Sequence, residues 1–210
     1  MNTGGLCIVG SRNVNKDGAN FASQAAKLAS YSGITVISGG AKGVDQISMD
    51  SAIESNGMAV GILADNLLKK SLENKNRKAI TEGKLLLVSP YNPNAFFNVG
   101  SAMGRNKLIY AMADFALVIR AEYKKGGTWS GAEEELSREN SIPVFVRIGE
   151  KMPDGNEKLL ELGAIPLYEP IDTDISLWKQ LIYGLLKLKN DNNKVKNIDK
   201  NSVNLELFIT

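Results

Sequence analysis

Four short segments of the chain combine glycine with basic or hydroxyl-bearing residues, and these residue types suit the binding of phosphate. Glycine lets a ligand approach the backbone closely, arginine offers a planar fork of donors, and a hydroxyl adds a further hydrogen bond. The candidate residues are Gly10, Ser11, Arg12, Gly39, Gly40, Lys42, Gly43, Asp45, Arg105, Asn106, Lys107, Lys125, Gly126, Gly127 and Thr128. The sequence therefore predicts a binding site for an anionic ligand.

The richest of these segments runs from Ser38 to Asp45 and holds three glycines just before a predicted helix. Backbone N–H groups at such a helix start, together with the positive end of the helix dipole, attract an anion. The segment lacks the Gly-Lys-Ser/Thr ending of a P-loop, and its glycine spacing differs from the dinucleotide-binding pattern. Asp45, in the first helical turn, either caps the helix or holds a ligand hydroxyl.

Two later segments add cations and a second glycine pair. Residues 105–107 (Arg-Asn-Lys) lie in a predicted helix, where they either reach a phosphate or form a solvated face. Residues 126–128 (Gly-Gly-Thr) precede another predicted helix and have the pattern of a phosphate cradle. For Trp129, which follows them, we expect packing in the core rather than stacking on a base.

Short apolar runs alternate with amphipathic stretches, and together they predict the elements that position these segments. Strands are predicted at residues 6–9, 34–37, 59–63, 85–88, 115–119 and 143–146. Helices are predicted at residues 17–32, 44–55, 67–81, 100–112 and 130–140. Continuous apolar runs are typical of parallel strands that helices cover on both faces. We therefore predict an α/β fold, with a Rossmann-like, doubly wound and mostly parallel sheet whose carboxyl ends carry the ligand site.

Beyond residue 147 the alternation weakens, and we predict a short helix at 157–162, an edge strand at 165–167 and a helix at 175–188. The expected organisation is one domain at 1–188, with a core at 6–147 and a helical extension at 155–188. Residues 189–210, rich in asparagine and lysine, form a predicted flexible tail.

The end of the tail carries Leu205, Leu207 and Phe208. This spacing resembles the peptide by which bacterial replication and repair proteins dock on the sliding clamp, where the three apolar side chains fill a pocket. The alternative is a strand that packs on its own domain or on a second copy of the chain.

The composition excludes several kinds of chemistry. The 210 residues include no histidine and one cysteine, Cys7, which we expect to be a buried apolar residue. Catalytic triads that need histidine, and metal sites that need histidine ligands, are therefore excluded, and we expect no metal and no cofactor. A lone cysteine, no signal peptide and no membrane-spanning run predict a cytoplasmic protein that does not enter the membrane. The net charge of +2 shows no overall bias towards nucleic acid.

Segments 8–12, 37–45, 105–109 and 125–129 resemble, in unbroken order, those of the DprA/Smf family within the Rossmann-like group that includes the LOG proteins. The resemblance implies single-stranded DNA as a partner, bound without catalysis in a basic pocket. It also implies a homodimer, the recombinase RecA as a further partner, and a role in recombination or DNA uptake. At the end of the fifth strand, Arg120-Ala121 stands where the family has Glu-Ala.

The resemblance also assigns roles within the pocket. Phosphate contacts are implied for Arg12, Lys42, Arg105, Asn106 and Lys107. Close backbone approach is implied at Gly39, Gly40 and Gly127, and hydroxyl contacts at Ser11 and Thr128. We expect the four cations among these residues to converge on one ligand.

Two other functions remain open on the sequence. A LOG-type enzyme would cleave the glycosidic bond of a nucleoside monophosphate, with a glutamate after its Gly-Thr pair as the acid–base residue. Here Trp129-Ser130-Gly131 follows that pair, and we expect Glu133, Glu134 and Glu135 to form a charged helix surface. A sensor that binds a nucleotide signal in the same cleft is the second alternative.

Overall fold

The computed structural model describes residues 4–169, 171, 172, 174, 177 and 179–181. Its strands are β1 (Leu6–Gly10), β2 (Val36–Ser38), β3 (Ala59–Ile62), β4 (Leu85–Val88), β5 (Phe115–Arg120), β6 (Val144–Ile148) and β7 (Ile165–Tyr168). They form one seven-stranded sheet in the order β4-β3-β2-β1-β5-β6-β7, and all its neighbouring strands run parallel. The predicted Rossmann-like α/β fold is confirmed.

Helices cover both faces of this sheet. They are α1 (Lys16–Tyr31), α2 (Val44–Glu54), α3 (Leu67–Leu72), α4 (Asn74–Thr81), α5 (Val99–Ala111), α6 (Gly126–Leu136) and α7 (Asp154–Glu161). Because successive side chains of a strand point to opposite faces, β1 contributes to two apolar layers. Ile8 packs in the layer that contains Phe21 of α1. Cys7 packs in the other layer with Ile109 of α5 and Trp129 of α6, so that both the cysteine and the tryptophan are buried as expected.

The order of the strands creates a crevice at one point of the sheet. The chain builds outwards from β1 to β4 on one side, and then returns to place β5 on the other side of β1. The loops after β1 and β5 therefore leave in different directions, as they do at the ligand-binding edge of doubly wound sheets. The Ser11 amide donates to the Arg120 carbonyl oxygen at 2.9 Å, which ties the two strand ends together below the crevice.

The structure differs from the predicted elements in two places that affect function. The expected helix at 67–81 is two helices, because Glu73 between them has an extended backbone (φ −58°, ψ 132°). The expected loop at 126–128 is instead the first turn of α6, which begins at Gly126 rather than at residue 130. Gly126 has φ 74°, a conformation that glycine adopts without strain, so the glycine pair allows the helix to begin earlier.

The edge strand predicted at 165–167 is present as β7, parallel to β6. Most of the predicted helix at 175–188 and the whole of the tail at 189–210, including Leu205, Leu207 and Phe208, lie outside the described residues. Leu177 and Leu181, which are described, are helical and fully buried. Within the described part of the chain, no helix has the length and apolar character needed to cross a bilayer.

A buried asparagine holds the ends of β5 and β6. Asn156 of α7 has no exposed surface and donates to the carbonyl oxygens of Ile119 (3.0 Å) and Arg147 (2.9 Å). Its own side-chain oxygen accepts from the Ala121 amide at 2.8 Å. Replacing it leaves three buried backbone groups without partners.

We predict that Asn156→Ala lowers the free energy of unfolding by about 3 kcal/mol, because each buried group left without a partner costs about 1 kcal/mol or more. Urea unfolding followed by circular dichroism measures the change. Asn20→Ala, at an exposed position on α1, is the control and should change the value by less than about 0.5 kcal/mol. Equal losses in the two variants would contradict the bracing role of Asn156.

Candidate functional site

A cavity of about 550 Å³ opens at the carboxyl ends of β1 and β5. Many of the residues predicted from the sequence line it, namely Gly10, Ser11, Arg12, Asp45, Arg105, Asn106, Lys125, Gly126, Gly127 and Thr128. Five predicted residues lie outside its lining, namely Gly39, Gly40, Lys42, Gly43 and Lys107. The crevice expected from the strand order is thus the place where most of the candidate residues meet.

The loop after β1 forms one wall of the cavity. Ser11 accepts a hydrogen bond from the Asn13 amide at 3.1 Å, which turns the chain towards α1. Arg12 is exposed, and its guanidinium carbon lies 4.9 Å from the centre of the Phe97 ring. Phe97 precedes α5, lines the cavity and keeps 46% of its surface exposed. An arginine on an exposed aromatic ring leaves both groups available to a ligand.

The loop after β2 is folded around Asp45. This side chain is buried, and its Oδ2 accepts from the Ala41 amide at 3.4 Å. The Gly39 backbone amide also lies beside the Asp45 carboxylate, since a side chain at Gly39 would collide with Oδ2. Burial raises the pKa of Asp45 to about 6, although the Arg105 guanidinium and these amides act in the opposite direction. An amide of the loop that was expected to receive a ligand anion, that of Ala41, therefore already donates to a carboxylate of the protein.

Arg105 is a brace within the protein. Only 6% of its surface is exposed, and its Nη1 donates to the backbone carbonyl oxygens of Gly39 and Ile62. Burial lowers the pKa of Arg105, and Asp45 opposes this effect. A side chain on Gly39 would collide with Arg105 and with Asp45, so glycine is required there. The phosphate contact of Arg105 stays a prediction: the residue lines the cavity, and its Nη1 is already engaged by two carbonyl groups.

Asn106 positions the first turn of α6. Its Nδ2 donates to the Gly127 carbonyl oxygen at 3.0 Å, which links α5 to α6 across the cavity wall. The residue before α6, Lys125, makes no side-chain cap within the described part of the chain, and no acidic residue stands in the first turn. The first-turn amides of a helix lack partners within the helix, and here they have no side-chain substitute. This helix start suits an anion better than the start of α2, where Asp45 is already present.

The predicted convergence of four cations is only half realised. Arg12 and Arg105 line the cavity, whereas Lys42 and Lys107 are exposed outside it. The Lys107 ammonium pairs with Glu134 at 2.9 Å. In place of the two lysines, Lys125 and Arg120 contribute the further cations of the lining. Sequence reasoning missed Arg120 and Phe97 as lining residues, although Arg120 directly follows a recognised strand.

The three consecutive glutamates of α6 have separate roles and do not line the cavity. Glu133 accepts from the Trp129 indole nitrogen at 2.9 Å, and Glu134 pairs with Lys107. Glu135 is buried and accepts from the Ile142 amide at 3.0 Å, which corrects the expected charged surface at this position. The carboxylates that line the cavity are those of Asp45 and Glu122. Among the described residues, no cluster of metal-binding side chains is present.

We predict losses of stability of very different size for two basic residues of α5. Arg105→Ala should lower the free energy of unfolding by about 3 kcal/mol, because it leaves the carbonyls of Gly39 and Ile62 unpaired beside a buried carboxylate. Lys107→Ala should lower it by less than about 0.5 kcal/mol, because its ion pair with Glu134 is solvent-exposed. Urea unfolding of the two variants measures this difference, and a stable Arg105→Ala protein would refute the bracing role.

Known proteins resemble this chain in sequence and in fold. Protein Smf of Synechocystis sp. is 26% identical over 181 residues, which cover 79% of this chain and 46% of that protein. The chain thus spans about half the length of the curated relatives it matches. DNA processing protein A of Streptococcus pneumoniae superposes with a TM-score of 0.68 at 19% identity, over 86% of this chain and 61% of that one.

DNA processing protein A of Helicobacter pylori, whose structure concerns its single-stranded DNA binding mode, gives a TM-score of 0.66 at 24% identity. The match covers 90% of this chain and 81% of that one, and shows a shared fold. The family model described as DNA recombination-mediator protein A matches residues 1–176, well over half of the chain. The chain therefore belongs to the DNA recombination-mediator protein A family, which is the DprA/Smf family that its motifs resemble.

Proposed function

We propose that the chain is a cytoplasmic DNA-processing protein that binds the backbone of single-stranded DNA in the cavity and catalyses no reaction on it. The observation that carries the proposal is the meeting of the α6 start with Arg12 and Lys125 at the crevice between β1 and β5. Amides at a helix start and cations together suit a phosphodiester. Membership of the family and the DNA binding of the Helicobacter pylori protein support the same ligand.

The shape of the site favours a single strand over a duplex. A cavity of about 550 Å³ has the size of a small-ligand pocket, which a locally unpaired strand can enter. Phe97 stands at the cavity with almost half of its surface exposed, and an unpaired base has a free face with which to stack on such a ring. We propose phosphate contacts at Ser11, Arg12, Lys125, Gly127 and Thr128, with Asn106 and Arg105 holding the walls in place.

The geometry does not favour the LOG-type hydrolase. That reaction needs a glutamate poised beside the phosphate loop, whereas Glu133, Glu134 and Glu135 are engaged by Trp129, Lys107 and the Ile142 amide outside the cavity. Binding without catalysis therefore accounts better for the residues that line the cavity. A nucleotide sensor would use the same cavity residues, and the binding experiment below also tests this function.

We predict that the Arg12→Ala/Lys125→Ala variant binds labelled oligothymidine about tenfold or more weakly than the unaltered protein. Each phosphate contact on a single strand contributes about 0.7 to the slope of log affinity against log salt, so the slope should fall by about 1.4. Fluorescence anisotropy across a salt series measures both quantities. The oligothymidine carries no terminal phosphate, so that only phosphodiesters are tested.

The matched control is Lys42→Ala/Lys107→Ala, which removes the same charge from exposed positions outside the cavity. It should retain most of the affinity and slope. An equal loss in the two double variants would place the DNA on a general basic surface and refute the cavity. Binding of a mononucleotide but of no oligonucleotide would support the sensor instead.

The partner proteins and the biological role are proposals that rest on the sequence. We propose that the protein forms a homodimer, supports recombination or DNA uptake, and cooperates with the recombinase RecA, as the family resemblance implies. We also propose that Leu205, Leu207 and Phe208 dock on the sliding clamp. All three lie outside the described residues.

Deletion of residues 205–210 tests the docking proposal. We predict that the truncated protein loses affinity for the sliding clamp and keeps its affinity for oligothymidine, because the tail and the cavity are separate determinants. Surface plasmon resonance on immobilised clamp measures the first quantity and anisotropy the second. Clamp binding that survives the deletion would contradict the docking motif.

A further inference from the structure

Asp45 is the buried acid of the cavity, and its position gives it a role beyond capping α2. Its carboxylate lies at the start of α2 and accepts from the Ala41 amide. It lines the cavity beside Gly10 and Ala41, where the end of β1 and the loop after β2 meet and where a phosphate was expected. The protein therefore already places a negative charge at this part of the cavity.

The other ionisable groups around Asp45 do not cancel the effect of its burial. Arg105 favours the ionised form of Asp45, while its own Nη1 is engaged by the carbonyls of Gly39 and Ile62. Cys7 of β1 and Tyr110 of α5 also experience the Asp45 charge, and burial raises the pKa of both, so neither becomes charged near neutrality. A phosphate that enters this part of the cavity would face an ionised carboxylate in a poorly solvated place.

We propose that Asp45 controls where a phosphate can bind in the cavity: while ionised it repels a phosphate from the part of the cavity beside Gly10 and Ala41 and restricts the ligand phosphate to the start of α6. This inference rests on the proposed function, and it identifies Asp45 as a specificity-determining residue of the same site. Loss of the negative charge, by protonation or by substitution, removes this repulsion and lets the DNA backbone approach this part of the cavity.

A proton linkage follows from this arrangement. Asp45 takes up a proton at a higher pH than an ordinary aspartate, so its charge is lost as the pH falls through about 6. Ligand phosphate and proton uptake then favour each other, since coupling between two sites is reciprocal. The chain has no histidine, the side chain that ordinarily titrates in this range. A dependence of DNA affinity on pH in this range that the Asp45→Asn substitution removes therefore reports on Asp45.

The test measures the affinity for oligothymidine without terminal phosphates by fluorescence anisotropy. The pH runs from about 5.5 to about 7.5, the range in which a histidine side chain ordinarily titrates. We expect the unaltered protein to bind about fivefold or more tightly at the acidic end, as is typical of coupled sites. Asp45→Asn should bind at every pH as the unaltered protein does at the acidic end, because asparagine carries no charge at any pH in this range. Asparagine keeps an oxygen that accepts from the Ala41 amide, so the loop after β2 is preserved.

Asp50→Asn is the matched control, since it removes the same charge from the same helix at a position paired with Lys75 outside the cavity. It should keep the pH dependence of the unaltered protein. Constant affinity of the unaltered protein across this range would overturn the proposal. So would a pH dependence that persists in Asp45→Asn, or weaker binding by that variant at every pH.

A second measurement uses no DNA and separates this inference from the proposed function. Sulfate stays doubly charged across the pH range, so the rise in thermal unfolding midpoint on adding sulfate reports anion binding to the folded protein. We expect a larger rise in Asp45→Asn than in Asp50→Asn at neutral pH. Equal rises would overturn the role of Asp45 even if DNA binds. If neither the unaltered protein nor any of the variants binds oligothymidine, the proposed function alone is refuted. The sulfate result would still decide the role of Asp45.

Discussion

The binding edge depends on one buried contact, that of the Arg105 guanidinium with the carbonyl oxygens of Gly39 and Ile62. These carbonyls stand at the ends of β2 and β3, so a single side chain ties two strand ends to α5. Taking a guanidinium out of water is costly unless its donors are paired and its charge is compensated. The two carbonyls pair Nη1 and the neighbouring Asp45 opposes the effect of burial on the charge, whereas Nε is buried without a partner among the described residues. Gly39 is left without room for a side chain, so Arg105 braces the cavity wall at the position where its charges must be held.

Two glycine-rich segments of similar composition, one after β2 and one after β5, adopt different structures in this fold. After β2, the Ala41 amide of the loop donates to Asp45, which comes from the helix that the loop precedes. After β5, the glycine pair enters α6 itself, and Asn106 binds the Gly127 carbonyl rather than the amides of the turn. The difference is set by the side chain in the first turn, which is an aspartate in α2 and a threonine in α6. In a segment that resembles a phosphate loop in sequence, a backbone amide can therefore be hydrogen-bonded by a side chain of the protein itself and not by a ligand.

Most of the fold could be predicted from the sequence, because continuous apolar runs and helical periodicity depend on local spacing alone. The residues after the strands, together with Arg105 and Asn106 of α5, also identified about half of the residues that line the cavity, since parallel strands bring their carboxyl ends to one edge. The burial of Arg105 could not be predicted in the same way, because its partners lie 66 and 43 residues earlier in the chain. One signal was present, however. Residues two apart on a helix do not share a face, so Arg105 and Lys107 of α5 could not both point at one ligand.

The net charge of +2 is a poor guide to what such an edge can bind, because the field in a crevice is set by the few charges that line it. Here Arg12, Arg105, Arg120 and Lys125 line the same cavity as Asp45 and Glu122. Lys42 and Lys107, which count equally towards the total, lie outside, and Lys107 is offset by Glu134. One carboxylate inside the cavity therefore has a larger effect on the electrostatic field of the cavity than several charges on the surface. A nearly neutral chain can attract a polyanion at one edge, and the placement of its few acidic residues decides which amides and cations the polyanion meets.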